Sequence, residues 1–156
     1  MKENRMTTAL SPENVHVVSH ASGKKRLLQI LAEQASAQTG LDEGKIFETL
    51  LEREKLGSTG VGRGVAIPHG KLKEIDQIFM MFLKLDKPVE FDSVDDRPVD
   101  LFFLLLAPLD AGTEHLKALA MVSRTMRDRD FCQKLRGAHD RDSLYALLSS
   151  PLEKAA

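Results

Sequence analysis

The sequence predicts an α/β protein, a single-domain sandwich in which a buried sheet is flanked by helices on both faces. Two observations carry this. Ile78-Phe-Met-Met-Phe-Leu83 and Leu101-Phe-Phe-Leu-Leu-Leu-Ala107 are nearly unbroken apolar runs bounded by polar and Pro-containing turns, and a strand that is apolar at every position belongs to a sheet covered on both sides. Before and after these runs, apolar residues recur at helical spacing, which supplies the covering layers. The 156 residues, 42% of them hydrophobic, suffice for one core without disulfides or a structural metal.

In chain order, residues 1–9 are expected to form a flexible N-terminus, 10–150 the domain, and 151–156 a flexible C-terminus. Val15 to Val18 alternates and predicts a short edge strand. Ser22 is placed to cap a helix that carries Leu27, Leu28, Leu31 and Ala35 on one face and ends at Gly40. A second helix opens near Asp42, carries Ile46, Phe47, Leu50 and Leu51, and stops at Gly57, a residue suited to the left-handed position after a helix. A glycine-rich segment and the two apolar strands follow. A helix over 113–126, capped by Thr113, then presents Leu116, Leu119, Ala120 and Val122. A short piece centres on Phe131 and Leu135, and a last helix from Asp140 carries Leu144, Leu147 and Leu148.

The 22 Lys and Arg nearly balance the 23 Asp and Glu, for a net charge of -1. Such a chain has no wide basic field for nucleic acid or anionic membrane, so any anion chemistry must be local. The one cysteine, Cys132, cannot pair within the chain, as suits a reducing compartment. The N-terminal Met-Lys-Glu-Asn-Arg-Met-Thr-Thr has no apolar core of the secretory kind, and no stretch approaches the roughly 18 apolar residues of a membrane helix. A cytoplasmic protein is expected.

Half of the ten glycines fall in the 14 residues Gly57-Ser-Thr-Gly-Val-Gly-Arg-Gly-Val-Ala-Ile-Pro-His-Gly70. Bare backbone there suits either a phosphate-binding loop or an ordinary flexible one. It is not a dinucleotide fingerprint, because a helix precedes it and a strand follows. Nor is it a Walker loop, since Lys71 is followed by Leu72 and Val65 stands where the first glycine belongs. His69, between Pro68 and Gly70, reads as a presented imidazole: a loop residue, or a nucleophile toward a phosphoryl group. His115, in the first turn of its helix, shares a face with Leu119, Val122 and Met126, so it is a core-edge histidine or a phosphate contact at a helix N-terminus. Arg53 extends the stripe Ile46, Leu50, Arg53 with no carboxylate at i±3 or i±4. It is a helix-end residue or an oxyanion ligand. His16 and His20 lie four apart in a strand or loop, where they share no helical face, and no zinc-type Cys/His spacing exists, so no metal is expected. No G-x-S-x-G elbow supports a Ser-His-Asp hydrolase.

The segment Glu52-Arg-Glu-Lys-Leu-Gly-Ser-Thr-Gly-Val-Gly-Arg-Gly-Val-Ala-Ile-Pro-His-Gly-Lys-Leu72 strongly resembles the active-site segment of phosphotransferase system IIA domains of the fructose/mannitol type, and within them the nitrogen-regulatory type. The likeness spans about 10–148 and includes Pro98-Val-Asp-Leu-Phe-Phe-Leu-Leu-Leu-Ala-Pro108 and Glu114-His-Leu116. The resemblance implies a mixed sheet between helices and a histidine phosphocarrier. His69 would accept a phosphoryl group on Nε2 from an HPr-like phosphocarrier, His115 would orient or stabilise that group, and Arg53 would contact it. Ser58, Thr59 and Gly60 would border the site, and Arg63 receives no catalytic role. Loop amides and the helix end at His115 would add positive charge, and no cofactor or metal is implied. The phosphorylation state would regulate target proteins, by family analogy potassium-transport systems or sensor kinases. With no fused IIB or membrane domain expected, transport itself would fall to other chains. The alternatives are a IIA component of a sugar transporter passing its phosphoryl group to a IIB domain, and a phosphorylation-independent binding module.

Overall fold

In the computed structural model, which describes residues 10–155, the two apolar runs pair as neighbouring antiparallel strands at the centre of a mixed sheet. The strands are β1 (Val15–Val18), β2 (Gly60–Gly62), β3 (Val65–Ala66), β4 (His69–Leu72), β5 (Phe79–Val89) and β6 (Val99–Pro108). Their order is β1-β5-β6-β3-β2, with β4 also pairing with β6. β1 runs parallel to β5, β3 and β4 run parallel to β6, and β2 and β3 form an antiparallel hairpin. β1 is the edge strand expected. β5 outruns its predicted end because it continues past Lys84 through a register irregularity, which accommodates Pro88.

Successive residues of β6 point to opposite sides. Leu101, Phe103, Leu105 and Ala107 meet one apolar cluster, while Phe102, Leu104 and Leu106 meet the other. The first cluster is closed by α3 (Thr113–Arg127), α4 (Arg129–Gly137) and α5 (Arg141–Ala155), and the second by α1 (Lys24–Thr39) and α2 (Glu43–Lys55). The continuous apolar runs thus have the expected cause, burial on both faces. Edge-on aromatic pairs, Phe82 with Phe103 at 6.0 Å and Phe91 with Phe102 at 5.3 Å between centroids, each add about 0.5–1.5 kcal/mol beyond their burial.

The helix ends show where local signals succeed and fail. Asp42 caps α2 by accepting from the Lys45 amide, and Gly40 ends α1 in the left-handed region at φ 77°. Ser22 does not cap α1 and Thr113 does not cap α3. Those positions fall to Gly23 and Gly112, and neither helix has a side-chain cap. On α3 the buried stripe is His115, Ala118, Met121, Val122 and Met126, whereas Leu116 is 66% exposed and Ala120 is exposed. The buried face is rotated from the predicted one, because Leu116 and Ala120 lie on the solvent side while Ala118 and Met121 face the sheet. α5 continues through residues 151–155, and residues 1–9 lie outside the described residues. Among the described residues no helix is long and apolar enough to cross a membrane.

Candidate active site

Beside β6, β3 and β4 follow one another end to end, and β2 covers only β3. β4 therefore has an open outer edge, and His69 is its first residue, paired with Leu105. Gly70 makes this placement possible. A Cβ there would lie 2.5 Å from Cγ2 of Thr49 on α2, so only glycine lets the helix approach closely enough for its last turn to reach the histidine.

Arg53, in that last turn, extends the buried stripe of Ile46 and Leu50 over the sheet edge. Its Nε–H donates to Nε2 of His69 at 3.3 Å and its Nη1 donates to the Gly57 carbonyl at 2.8 Å. The other ring nitrogen of His69, Nδ1, lies 2.9 Å from the Ile67 carbonyl. A carbonyl can only accept, so Nδ1 carries the proton and Nε2 presents its lone pair. From the opposite helical layer, the His115 ring sits 5.8 Å from that of His69, tilted by 50°. His115 is buried, 6% exposed, and its Nδ1 has no hydrogen-bond partner among the described residues.

Both rings are held below the usual histidine pKa of 6.5. For His69, burial is the main cause and the Arg53 guanidinium adds to it, while the bond to Ile67 and the charge of Glu54 oppose it. For His115, burial leads, followed by His69 and Lys71. Neutral imidazoles beside a fixed guanidinium have the charge balance that suits attack on a dianionic phosphoryl group.

The structure thus brings His69, His115 and Arg53 together. It treats the glycine-rich segment differently from the sequence reading. The segment is a hairpin followed by a strand, and four of its amides are engaged elsewhere. Thr59 N–H donates to Glu54, Gly60 N–H to the Ser58 hydroxyl, Arg63 N–H to Asp95 and Ile67 N–H to the Thr59 carbonyl. These amides cannot also cradle a phosphate. Ser58 donates its hydroxyl to the Phe91 carbonyl and the Thr59 hydroxyl donates to Glu54, so both side chains shape the loop. Gly60 lies flat against Ser93, whose side chain and Cα a Cβ would meet at 2.8–3.0 Å.

Sequence reasoning missed Glu54. This carboxylate is 8% exposed, holds Thr59 through amide and hydroxyl, and pairs with Lys24 at 2.9 Å. The signal was present: Glu54 stands four residues after Leu50 and eight after Ile46, on the same stripe that singled out Arg53. Among the described residues no group of three His, Cys, Asp or Glu is gathered closely enough to hold a metal ion.

Residues 8–150 match the family described as phosphoenolpyruvate-dependent sugar phosphotransferase system, EIIA 2. The chain is 49% identical to a nitrogen regulatory protein of Bradyrhizobium diazoefficiens, over 97% of this chain and 99% of the relative. Its fold superposes with a TM-score of 0.85 on the crystal structure of nitrogen regulatory protein IIA-Ntr from Neisseria meningitidis, at 34% identity over 93% of this chain and 99% of that one. IIA mannitol from Escherichia coli shares the fold at a TM-score of 0.74 and 23% identity, over 89% and 98% of the two chains. The family match over residues 8–150, the 49% identity over nearly the whole chain and the shared fold place the protein in the type-2 EIIA family of the phosphoenolpyruvate-dependent phosphotransferase system, among the nitrogen regulatory IIA proteins.

Proposed function

We propose that the protein is a cytoplasmic histidine phosphocarrier, taking a phosphoryl group on Nε2 of His69 from an HPr-like donor and regulating target proteins according to its phosphorylation state. The observation that carries this is the hydrogen bond between His69 Nδ1 and the Ile67 carbonyl. It selects the tautomer whose Nε2 lone pair faces the open sheet edge, beside Arg53. In the transfer, the bond between phosphorus and the donor's histidine nitrogen breaks as the bond from phosphorus to Nε2 forms, and the donor ring keeps the bonding electron pair. Arg53 now donates to that lone pair, so its guanidinium stands where an equatorial phosphoryl oxygen would arrive. The unpartnered Nδ1 of His115 can contact a second oxygen. Such transfer depends on positioning and spread positive charge more than on covalent machinery.

A neutral ring would become a group carrying nearly two negative charges. On a chain of net charge -1, that suffices to change which surface docks. Potassium-transport systems and sensor kinases are the target classes suggested by the family. Incubation with phosphoenolpyruvate, enzyme I and the HPr-like carrier, followed by intact-mass measurement, tests the reading. Wild type should gain one acid-labile phosphoryl group and His69→Ala none. Uptake by His69→Ala, or none by wild type, would overturn it. His115→Ala should still be phosphorylated but discharge poorly, and unchanged transfer in both directions would remove His115 from the site.

A further inference from the structure

The sheet carries a second concentration of charge, away from the histidines. A cavity of about 570 Å³ opens where the turn between β2 and β3 meets the corner between α3 and α4 and the start of β6. Arg63, Arg97, Arg127, Arg129 and Arg136 border it, with Asp100 the only carboxylate in its lining. These are half of the chain's ten arginines, on a protein whose net charge is -1, and no lysine joins them. Such a selection for guanidinium points to planar, bidentate recognition of oxyanions.

The five do not all serve the fold. Arg136 does: it holds Asp100 through two bonds of 2.9 Å and donates to the Arg63 carbonyl. Gly64 leaves room for this, since a Cβ there would lie 2.6 Å from an Arg136 nitrogen. Arg63, held in the left-handed region at φ 56°, reaches the Arg127 carbonyl. Among the described residues, Arg136 is the only one of the five that pairs with a carboxylate. The nearby Asp95 accepts from the Arg63 and Arg97 amides and its charge also acts on Arg97, while Asp128 accepts from the Phe131 amide through one oxygen. With five guanidiniums and one carboxylate in its lining, the cavity carries an excess of positive charge, which a ligand with several negative charges would offset. The volume exceeds what a lone phosphate needs and lies in the range of small-molecule sites. The buried Val65, Met126 and Cys132 add an apolar wall.

We infer that this cavity is a second anion site, separate from the one at His69, for a small metabolite that carries two or more phosphoryl groups on a carbon body. The two sites are distinct along one strand. Val65 pairs with Leu101 and His69 with Leu105, a separation of about 13 Å at roughly 3.3 Å per residue.

The test is isothermal titration with magnesium-free ATP, inorganic triphosphate and adenosine as probes, together with amide shift mapping. ATP and triphosphate should each saturate one site and move the Arg63, Gly64 and Arg129 amides, while adenosine should not bind. Arg127→Ala/Arg129→Ala, which alters two exposed side chains, should keep the wild-type melting temperature and weaken ATP binding at least about tenfold, or about 1.4 kcal/mol. Arg53→Ala, which disables the other anion site, should leave ATP binding unchanged. No saturation by ATP at about 1 mM, a Kd worth only about -4 kcal/mol, would overturn the inference and reassign the arginines to an acidic protein partner. Loss of binding in Arg53→Ala with retention in the double variant would overturn it too, as would adenosine binding as tightly as ATP.

Discussion

Gly70→Ala is the most direct test of how helix α2 is held against β4, the strand that begins at His69. The added Cβ would sit 2.5 Å from Cγ2 of Thr49, well inside contact distance, and that methyl can turn away only by a change of χ1 that gives up the hydroxyl's bond to the Lys45 carbonyl. Relieving such overlap by moving packed elements costs about 1–3 kcal/mol. For a chain of this size that is a fall in Tm of roughly 2–4 °C per kcal/mol, so a loss of about 4–8 °C is expected for a cost near 2 kcal/mol. Thr49→Ser removes the offending methyl but keeps the hydroxyl, which donates to the Lys45 carbonyl at 2.8 Å. The double variant should therefore recover most of the loss, giving a coupling of at least about 1 kcal/mol in a double-mutant cycle. Arg53 lies one helical turn beyond Thr49, so Gly70→Ala should also slow phosphorylation of His69, and Thr49→Ser should restore it. Thermal unfolding followed by circular dichroism, with phosphorylation time courses, reads both effects. An unchanged Tm in Gly70→Ala, or a double variant no better than the single one, would refute the close approach.

Other outcomes follow from the buried charges. Lys24→Met strands the Glu54 carboxylate, whose side chain is 3% exposed. It should cost roughly 2–4 kcal/mol in urea unfolding, the lower figure reflecting the 21% exposure of Lys24. Lys24→Met/Glu54→Gln should cost less than Lys24→Met alone, and a neutral Lys24→Met would show that the pair contributes nothing. Lys84 is 4% exposed on β5, and its ammonium donates to the Arg136 and Ala138 carbonyls at the end of α4. Lys84→Met should cost about 1–3 kcal/mol and raise hydrogen exchange at residues 136–138, whereas unchanged exchange would contradict that anchoring. His16, His69 and His115 all have folded pKa values lowered from 6.5, with burial the leading cause. The unfolded chain then binds protons more readily, so their stabilising contribution is complete above 6.5 and is lost as pH falls from there through the lowered folded values. Urea midpoints should decline on acidification across that window, and NMR titrations should place all three rings below 6.5. A midpoint that rises between neutral pH and pH 5 would reverse the sign.

Much of the architecture was legible because its causes are local. An apolar run reports two covered faces wherever it occurs, so Leu101 to Ala107 declared a sandwiched strand before any partner was known. Asp42 and Gly40 mark helix ends through bonds within a few residues of themselves. The family motif around His69 was readable for the same reason, being one continuous segment. Even Arg53 and Glu54 were within reach, since helical spacing from Leu50 puts both on or beside the buried stripe.

What tertiary structure decided is what joins distant segments. The sequence by itself named His69, but the carbonyl of Ile67 and the guanidinium of Arg53, converging on its two ring nitrogens, decide which nitrogen carries the proton. Five glycines in 14 residues suggested a phosphate cradle, yet Gly60, Gly64 and Gly70 are required by Ser93, Arg136 and Thr49, neighbours that periodicity cannot foresee. Likewise, balanced composition spoke of a chain without a standing field, while folding draws Arg63, Arg97, Arg127, Arg129 and Arg136 from three stretches of chain into one cavity. Net charge is a sum and carries no positions. Pairing across the sheet sets those positions, because each strand's register depends on a partner tens of residues away.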